Sequence, residues 1–234
     1  MIEIKHAKKR YGNVRALDGL NLTLDNGKII GIAGENGSGK STLLKCIAGV
    51  SRIDAGQILI DGQAANRRRA DDIAYLPDAD LFYPYFTAAE LFTFYESQFA
   101  DFQMAKAREA LAFLQVDPSI KLKRLSKGNR GRVKMAATLG REARYYLMDE
   151  PFSGMDPLVR TDLVKGLIRF IDLERQTLIL STHELREVET LLDELVVLHG
   201  GTSLAHRTLE EVREESGMDS VDWMTSLMKM EKLR

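Results

Sequence analysis

The order of apolar and polar residues divides the chain into three stretches. In the first, Leu20, Leu22 and Leu24 alternate with polar residues, Asn26-Gly27 marks a turn, and an unbroken apolar run follows over 29–33. Alternation followed by a continuous run predicts a half-exposed antiparallel strand feeding a strand buried on both faces. Asp54-Ala-Gly56 ahead of Gln57-Ile-Leu-Ile60, closed by Asp61-Gly62, predicts a second hairpin. In the middle stretch Thr87-Ala-Ala-Glu90 has the spacing of a capping box, with Leu91, Phe94 and Tyr95 following at helical intervals. Residues 106–115 form a second amphipathic helix stopped near Asp117-Pro118, and a third runs from near Ser126 to about Gly140. In the last stretch the apolar runs 145–148, 177–180 and 195–198 read as buried strands, with helices starting at Asp156-Pro157 and at Glu184. Strand–helix alternation of this kind argues for a parallel sheet with helices on its faces. The helix-only block, roughly 80–140, lies between the strand-like runs 73–76 and 145–148, as an inserted subdomain would.

Composition narrows the class without naming a function. The chain of 234 residues is 44% hydrophobic and 29% charged, ordinary for a soluble globular domain. Lys plus Arg (33) nearly cancel Asp plus Glu (34), so bulk charge favours neither nucleic acid nor a membrane surface. Arg67-Arg68-Arg69 is followed at once by Asp71-Asp72 and reads as a solvated loop, not a nucleic-acid patch. A single cysteine, Cys46, excludes an intrachain disulfide and fits a reducing compartment. The N-terminus has no apolar core of the signal-peptide type, and the apolar runs fall far short of the ~20 residues that span a bilayer. If transport is involved, another polypeptide must supply the pore.

Candidate chemistry centres on Gly34-Glu-Asn36-Gly37-Ser38-Gly39-Lys40-Ser41-Thr42, a Walker A pattern with a buried strand before it and a helix after it. The glycines let backbone amides turn inward around the phosphates of a nucleotide. Lys40 adds a point charge, Ser41 offers its hydroxyl to Mg²⁺, and the helix N-terminus adds its partial positive charge. Further on, Tyr145-Tyr-Leu-Met148 leads into Asp149-Glu150, a Walker B strand. Asp149 can reach the metal shell, and Glu150 is placed to hold an attacking water for in-line displacement. ATP and Mg²⁺ are the cofactors this pairing implies.

At this point the chain resembles the ATP-binding cassette (ABC) proteins over nearly its whole length. Leu125-Ser-Lys-Gly-Asn129 looks like the signature motif of that family, Glu150-Pro-Phe-Ser-Gly-Met-Asp156 resembles the segment from Walker B to the D-loop, and Ser181-Thr-His183 resembles the switch-histidine segment. Tyr11 sits where the family stacks an aromatic ring on adenine. The resemblance implies an α/β P-loop NTPase fold of the ABC ATPase type, a mixed sheet core with an antiparallel β subdomain and an inserted helical subdomain. It implies a core of 1–79 and 141–207, a helical subdomain over 80–140 carrying the signature, and a helical tail over 208–234. Glu150 and His183 would be catalytic, and Ser126 and Gly128 would act on the nucleotide of the other subunit in a head-to-tail homodimer or heterodimer. The implied partner is a transmembrane permease on a separate chain, with the ATPase cytoplasmic and peripheral on the inner face of the membrane.

Three positions depart from the family pattern. Where the Q-loop glutamine is common, this chain has Asp78, a shorter and charged candidate for the metal shell. Lys127 and Asn129 replace the first signature glycine and the final glutamine, while Ser126 and Gly128 remain. The signature form resembles bacterial exporters with separate ATPase and permease chains, which implies efflux of drugs or peptides. The alternatives are a soluble ABC ATPase uncoupled from transport and an ATP-binding regulatory subunit. In the first the usual coiled coils, zinc-binding cysteines or second cassette are missing; against the second stand Glu150 and His183. The aromatic segment Phe82–Phe86 reads either as core or as the place where a permease docks. In the tail, Trp223 with Leu227 and Met224 with Met228 fall at four-residue spacing, which favours docking on protein over a membrane.

Overall fold

In the computed structural model, which describes residues 1–67, 71–79, 83–153 and 155–232, the chain folds into ten strands and seven helices among those residues. Arg68, Arg69, Phe82 and Gly154 of the segments named above, with Leu233 and Arg234 of the tail, lie outside the described residues. The first half contains β1 (Ile2–Tyr11), β2 (Val14–Leu24), β3 (Ile29–Ala33), α1 (Lys40–Ile47), β4 (Ala55–Ile60), β5 (Gln63–Ala64) and β6 (Ile73–Leu76). Next come α2 (Ala88–Gln98), α3 (Met104–Phe113), α4 (Lys127–Leu139), β7 (Tyr145–Asp149), α5 (Pro157–Phe170) and β8 (Thr177–Thr182). The chain continues through β9 (Glu194–His199), β10 (Thr202–Thr208), α6 (Leu209–Ser216) and α7 (Ser220–Lys232).

Two sheets result. One is antiparallel, ordered β2-β1-β4-β5; the other is ordered β10-β9-β3-β8-β7-β6, parallel except for the edge strand β10. Strand side chains alternate between faces, and the six-stranded sheet uses both faces for burial. Ile30, Ile32, Tyr145, Leu147 and Ile179 meet α1 and the antiparallel sheet in one core. Ala33, Tyr146, Met148, Leu178 and Leu180 meet α2, α3, α4 and α5 in the other. A strand buried on both sides has no polar face to display, which is why 29–33 and 145–148 are unbroken apolar runs.

The helices start where their caps stand. Thr87 and Glu90 close a reciprocal capping box on α2, and Ser126 caps α4 by accepting the Asn129 amide at 3.2 Å. The helix expected from Glu184 is instead a pair of 3-10 turns, Leu185–Glu187 and Glu189–Leu191. Leu185, Val188 and Leu191 are all buried and recur every third residue. A 3-10 turn, with three residues per turn, aligns such a spacing on one face, whereas an α-helix would rotate it away. The tail docks on its own chain: Trp223, Met224, Leu227 and Met228 of α7 pack against the core that contains those three residues.

Candidate active site

Neighbouring parallel strands deliver the motif residues to one edge. Ala33 on β3 lies opposite Thr182 on β8, Ser181 lies opposite Asp149 on β7, and Met148 lies opposite Leu76 on β6. The residues that follow each strand therefore emerge together beyond the carboxyl ends, where open α/β sheets gather their chemistry.

The phosphate loop turns back beneath this edge into α1. Asn36 and Gly37 are exposed at its tip, Gly34 and Lys40 are buried, and Ser41 and Thr42 are half-buried in the first helical turn. Gly39 takes a left-handed φ of 108° at the helix start, and a Cβ there would lie 2.4 Å from the Ala16 carbonyl oxygen. Lys40 Nζ donates to the carbonyl oxygens of Gly34 at 2.8 Å and Glu35 at 3.2 Å, and stands 3.7 Å from Glu150 Oε1. Burial holds the Lys40 ammonium below its ordinary pKa, against the opposing pull of the Glu150 and Asp149 charges.

Ser41 Oγ donates to Asp149 Oδ1 at 2.8 Å. An ionised carboxylate can only accept, so the Ser41 proton is spent on Asp149 and its lone pairs are available to a cation. A hydroxyl beside a carboxylate is the oxygen set that suits Mg²⁺, which takes few protein ligands and completes its shell with water and phosphate oxygens. The Ser38 hydroxyl is buried without a hydrogen-bond partner inside the loop. An orphaned buried hydroxyl among backbone amides is accounted for by an anion's oxygen. The residues present thus fit an ATP–Mg²⁺ pair.

Beside them, Glu150 Oε2 lies 2.7 Å from His183 Nδ1 and 3.4 Å from the His183 amide. Glu150 has a left-handed backbone with φ of 48°, uncommon for a side-chain-bearing residue. Ser181 is fully buried, 2.8 Å from Asp149 Oδ1 and 2.9 Å from the Glu150 amide. Sequence patterns did not single it out, because a serine within a strand carries no periodic signal; its place two residues before His183 was the only clue.

The other expected site residues stand apart. Ser126 is exposed and Gly128 half-exposed at the start of α4, with no hydrogen bond among the described residues to the Lys40 cluster. Tyr11 ends β1 about half exposed, its hydroxyl 3.3 Å from Ser51 Oγ and the Lys9 ammonium 5.3 Å from its ring centroid. Asp78 is exposed, and its carboxylate makes no hydrogen bond to Ser41 or Asp149 among the described residues. Its backbone carbonyl, with that of Pro77, accepts from Lys134 Nζ of α4 at 2.8 and 3.0 Å. Asp78 and Glu150 line one cavity of about 330 Å³ with Lys127, Arg130 and Lys134.

Residues 17–153 match the family model described as ABC transporter. A probable sulfate/thiosulfate import ATP-binding protein of Chlorella vulgaris is 33% identical over 220 residues, 91% of this chain and 93% of that one. The solved structure of an ATP-binding subunit of an ABC transporter is 27% identical, with a TM-score of 0.83 over 97% of this chain and 99% of that one. The dimeric structure of a bacterial ABC transporter cassette reaches a TM-score of 0.81 at 23% identity, over 89% of this chain and 99% of that one, a likeness of fold alone.

Proposed function

The chain belongs to the ABC transporter family of ATP-binding proteins and is an ABC ATPase, and on that premise we propose that it is the motor subunit that drives a separate membrane permease. The observation that carries the reading is the convergence of Lys40, Ser41, Asp149, Glu150 and His183 at one sheet edge. No helix among the described residues is long and apolar enough to cross a membrane. The reading puts the permease on a separate chain and the ATPase at the membrane's inner face.

In this reading the loop amides with Lys40 bind the β- and γ-phosphates, and Ser41 with Asp149 holds Mg²⁺. Mg²⁺ supplies electrostatic stabilisation of the charge on the phosphate oxygens. Glu150 orients the attacking water and takes its proton, with His183 Nδ1 keeping the carboxylate in place. Tyr11 would offer its ring to adenine, and Asp78 would supply a further carboxylate for the metal. Ser126 and Gly128 face the nucleotide of a second subunit, identical or paralogous, and the helical block 80–140 carries them as a unit against the core.

The Leu125-Ser-Lys-Gly-Asn129 form argues for drug or peptide export, whereas the Chlorella relative is named for import. The reading is accordingly of a transport ATPase whose permease sets substrate and direction. Glu150→Gln is the test: turnover should fall by about 10²-fold or more while ATP binding persists. Unchanged hydrolysis in that variant would sink the assignment of Glu150 as base.

A further inference from the structure

Ser181 occupies a place that the chemistry above does not use. It is wholly buried near the end of β8, level with Asp149 in the sheet. Its neighbours dictate the direction of both its hydrogen bonds. The Glu150 amide can only donate, so Ser181 Oγ accepts it at 2.9 Å; the ionised Asp149 carboxylate can only accept, so the Ser181 proton goes to Oδ1 at 2.8 Å. One hydroxyl joins two consecutive acidic residues, through the backbone of one and the side chain of the other.

Each bond answers a structural demand. Ser41 already donates to Asp149 Oδ1, and Ser181 donates to the same oxygen from the neighbouring strand. Two hydroxyl protons on one oxygen fix the rotation of the carboxylate about its stem. Glu150, for its part, has a φ of 48°, a conformation that a side-chain-bearing residue holds only where its surroundings over-determine it. The Ser181 bond to its amide and the Ser153 amide bond to its carbonyl, at 3.1 Å, clamp that residue from both sides. Held so, the Glu150 carboxylate reaches His183 Nδ1 at 2.7 Å.

We propose that Ser181 is a positioning residue for ATP hydrolysis, bridging the Glu150 amide and the Asp149 carboxylate so that the metal-facing and water-facing acids keep one fixed relation. The inference rests on the assignment of Asp149 and Glu150 made above. A strand serine that merely satisfied its own hydroxyl would need a single acceptor; this one spends both a proton and a lone pair, and both partners are the Walker B acids.

Ser181→Ala and Ser181→Thr of the full chain test it, with wild type and Glu150→Gln alongside. Hydrogen bonds to charged groups are strong enough that Ser181→Ala should lower kcat about ten- to hundredfold. ATP affinity measured in EDTA should stay within about twofold of wild type, while affinity measured with Mg²⁺ falls. Ser181→Thr, which keeps the hydroxyl, should recover most of the turnover. Amide exchange at Glu150 should accelerate in the alanine variant and not in the threonine variant. Turnover in Ser181→Ala close to wild type, a threonine variant as impaired as the alanine one, or unchanged Glu150 exchange in the alanine variant each overturns the proposal. Should wild type itself fail to hydrolyse ATP, the functional reading fails instead, and Glu150 exchange with Mg²⁺-dependent binding still decides the role of Ser181.

Discussion

Gly39 shows how tightly single residues are held at the phosphate loop. Its left-handed φ would strain any side chain, and the Cβ would press on backbone, the Ala16 carbonyl, which cannot swing aside. Gly39→Ala should therefore destabilise the fold by about 1–3 kcal/mol and weaken ATP binding, as seen in thermal unfolding and nucleotide titration. Residues of this kind were legible in the sequence because a motif fixes type and spacing together: Lys40, Ser41, Asp149, Glu150 and His183 do meet in space. Ser181 was not legible, since its role depends on which strand lies beside it. Tyr11 and Asp78 stand where the resemblance put them in the chain, yet their contacts among the described residues are with Ser51, Lys9 and Lys134. Motif spacing specifies a residue's place, not its side-chain partner.

Among elements, those with strong periodicity or caps were read nearly to their ends. The run 145–148 became β7, and Thr87 caps α2 as its box predicts. The misses have physical causes. β10 lies at the sheet edge with most residues half-exposed, so it lacks the alternation that betrays a strand. The 3-10 turns after Glu184 share apolar content with an α-helix and differ only in period. At α6, the Glu211 carboxylate accepts the Thr208 amide at 2.7 Å, and that bond holds its pKa below the ordinary 4.5. A carboxylate with a depressed folded-state pKa adds stability above its unfolded pKa and loses it as pH falls through the folded value. Glu211→Ala should accordingly lower the melting temperature at neutral pH, and the gap to wild type should narrow as pH falls below the ordinary 4.5. Thr208→Ala removes the reciprocal cap and should cost about 1 kcal/mol at neutral pH in the same melts.

For the molecule as a whole, the decisive fact is that Ser126 is exposed and Gly128 half-exposed at the start of α4, with no hydrogen bond among the described residues to the Lys40 cluster. A helix N-terminus that presents a hydroxyl and amides to solvent suits the phosphate of another copy. Two chains related by a two-fold axis would complete two sites at once, because an isologous interface repeats every contact. In the Glu150→Gln background, ATP with Mg²⁺ should convert the 26.3 kDa chain to a species of twice that mass in light scattering. Adding Ser126→Arg should leave it monomeric. A dimer that persists with Ser126→Arg would place the interface elsewhere.

The parallel ladder through β3, β8 and β7 has one last consequence. The spacing between the residues it delivers is set by backbone hydrogen bonds, not by the side chains packed above and below. Apolar exchanges at Leu147 or Ile179 would be felt as lost packing, while the separation of Asp149 from Ser181 stays that of adjacent strands. Thermal tolerance can thus be retuned through the core without redrawing the geometry at its edge.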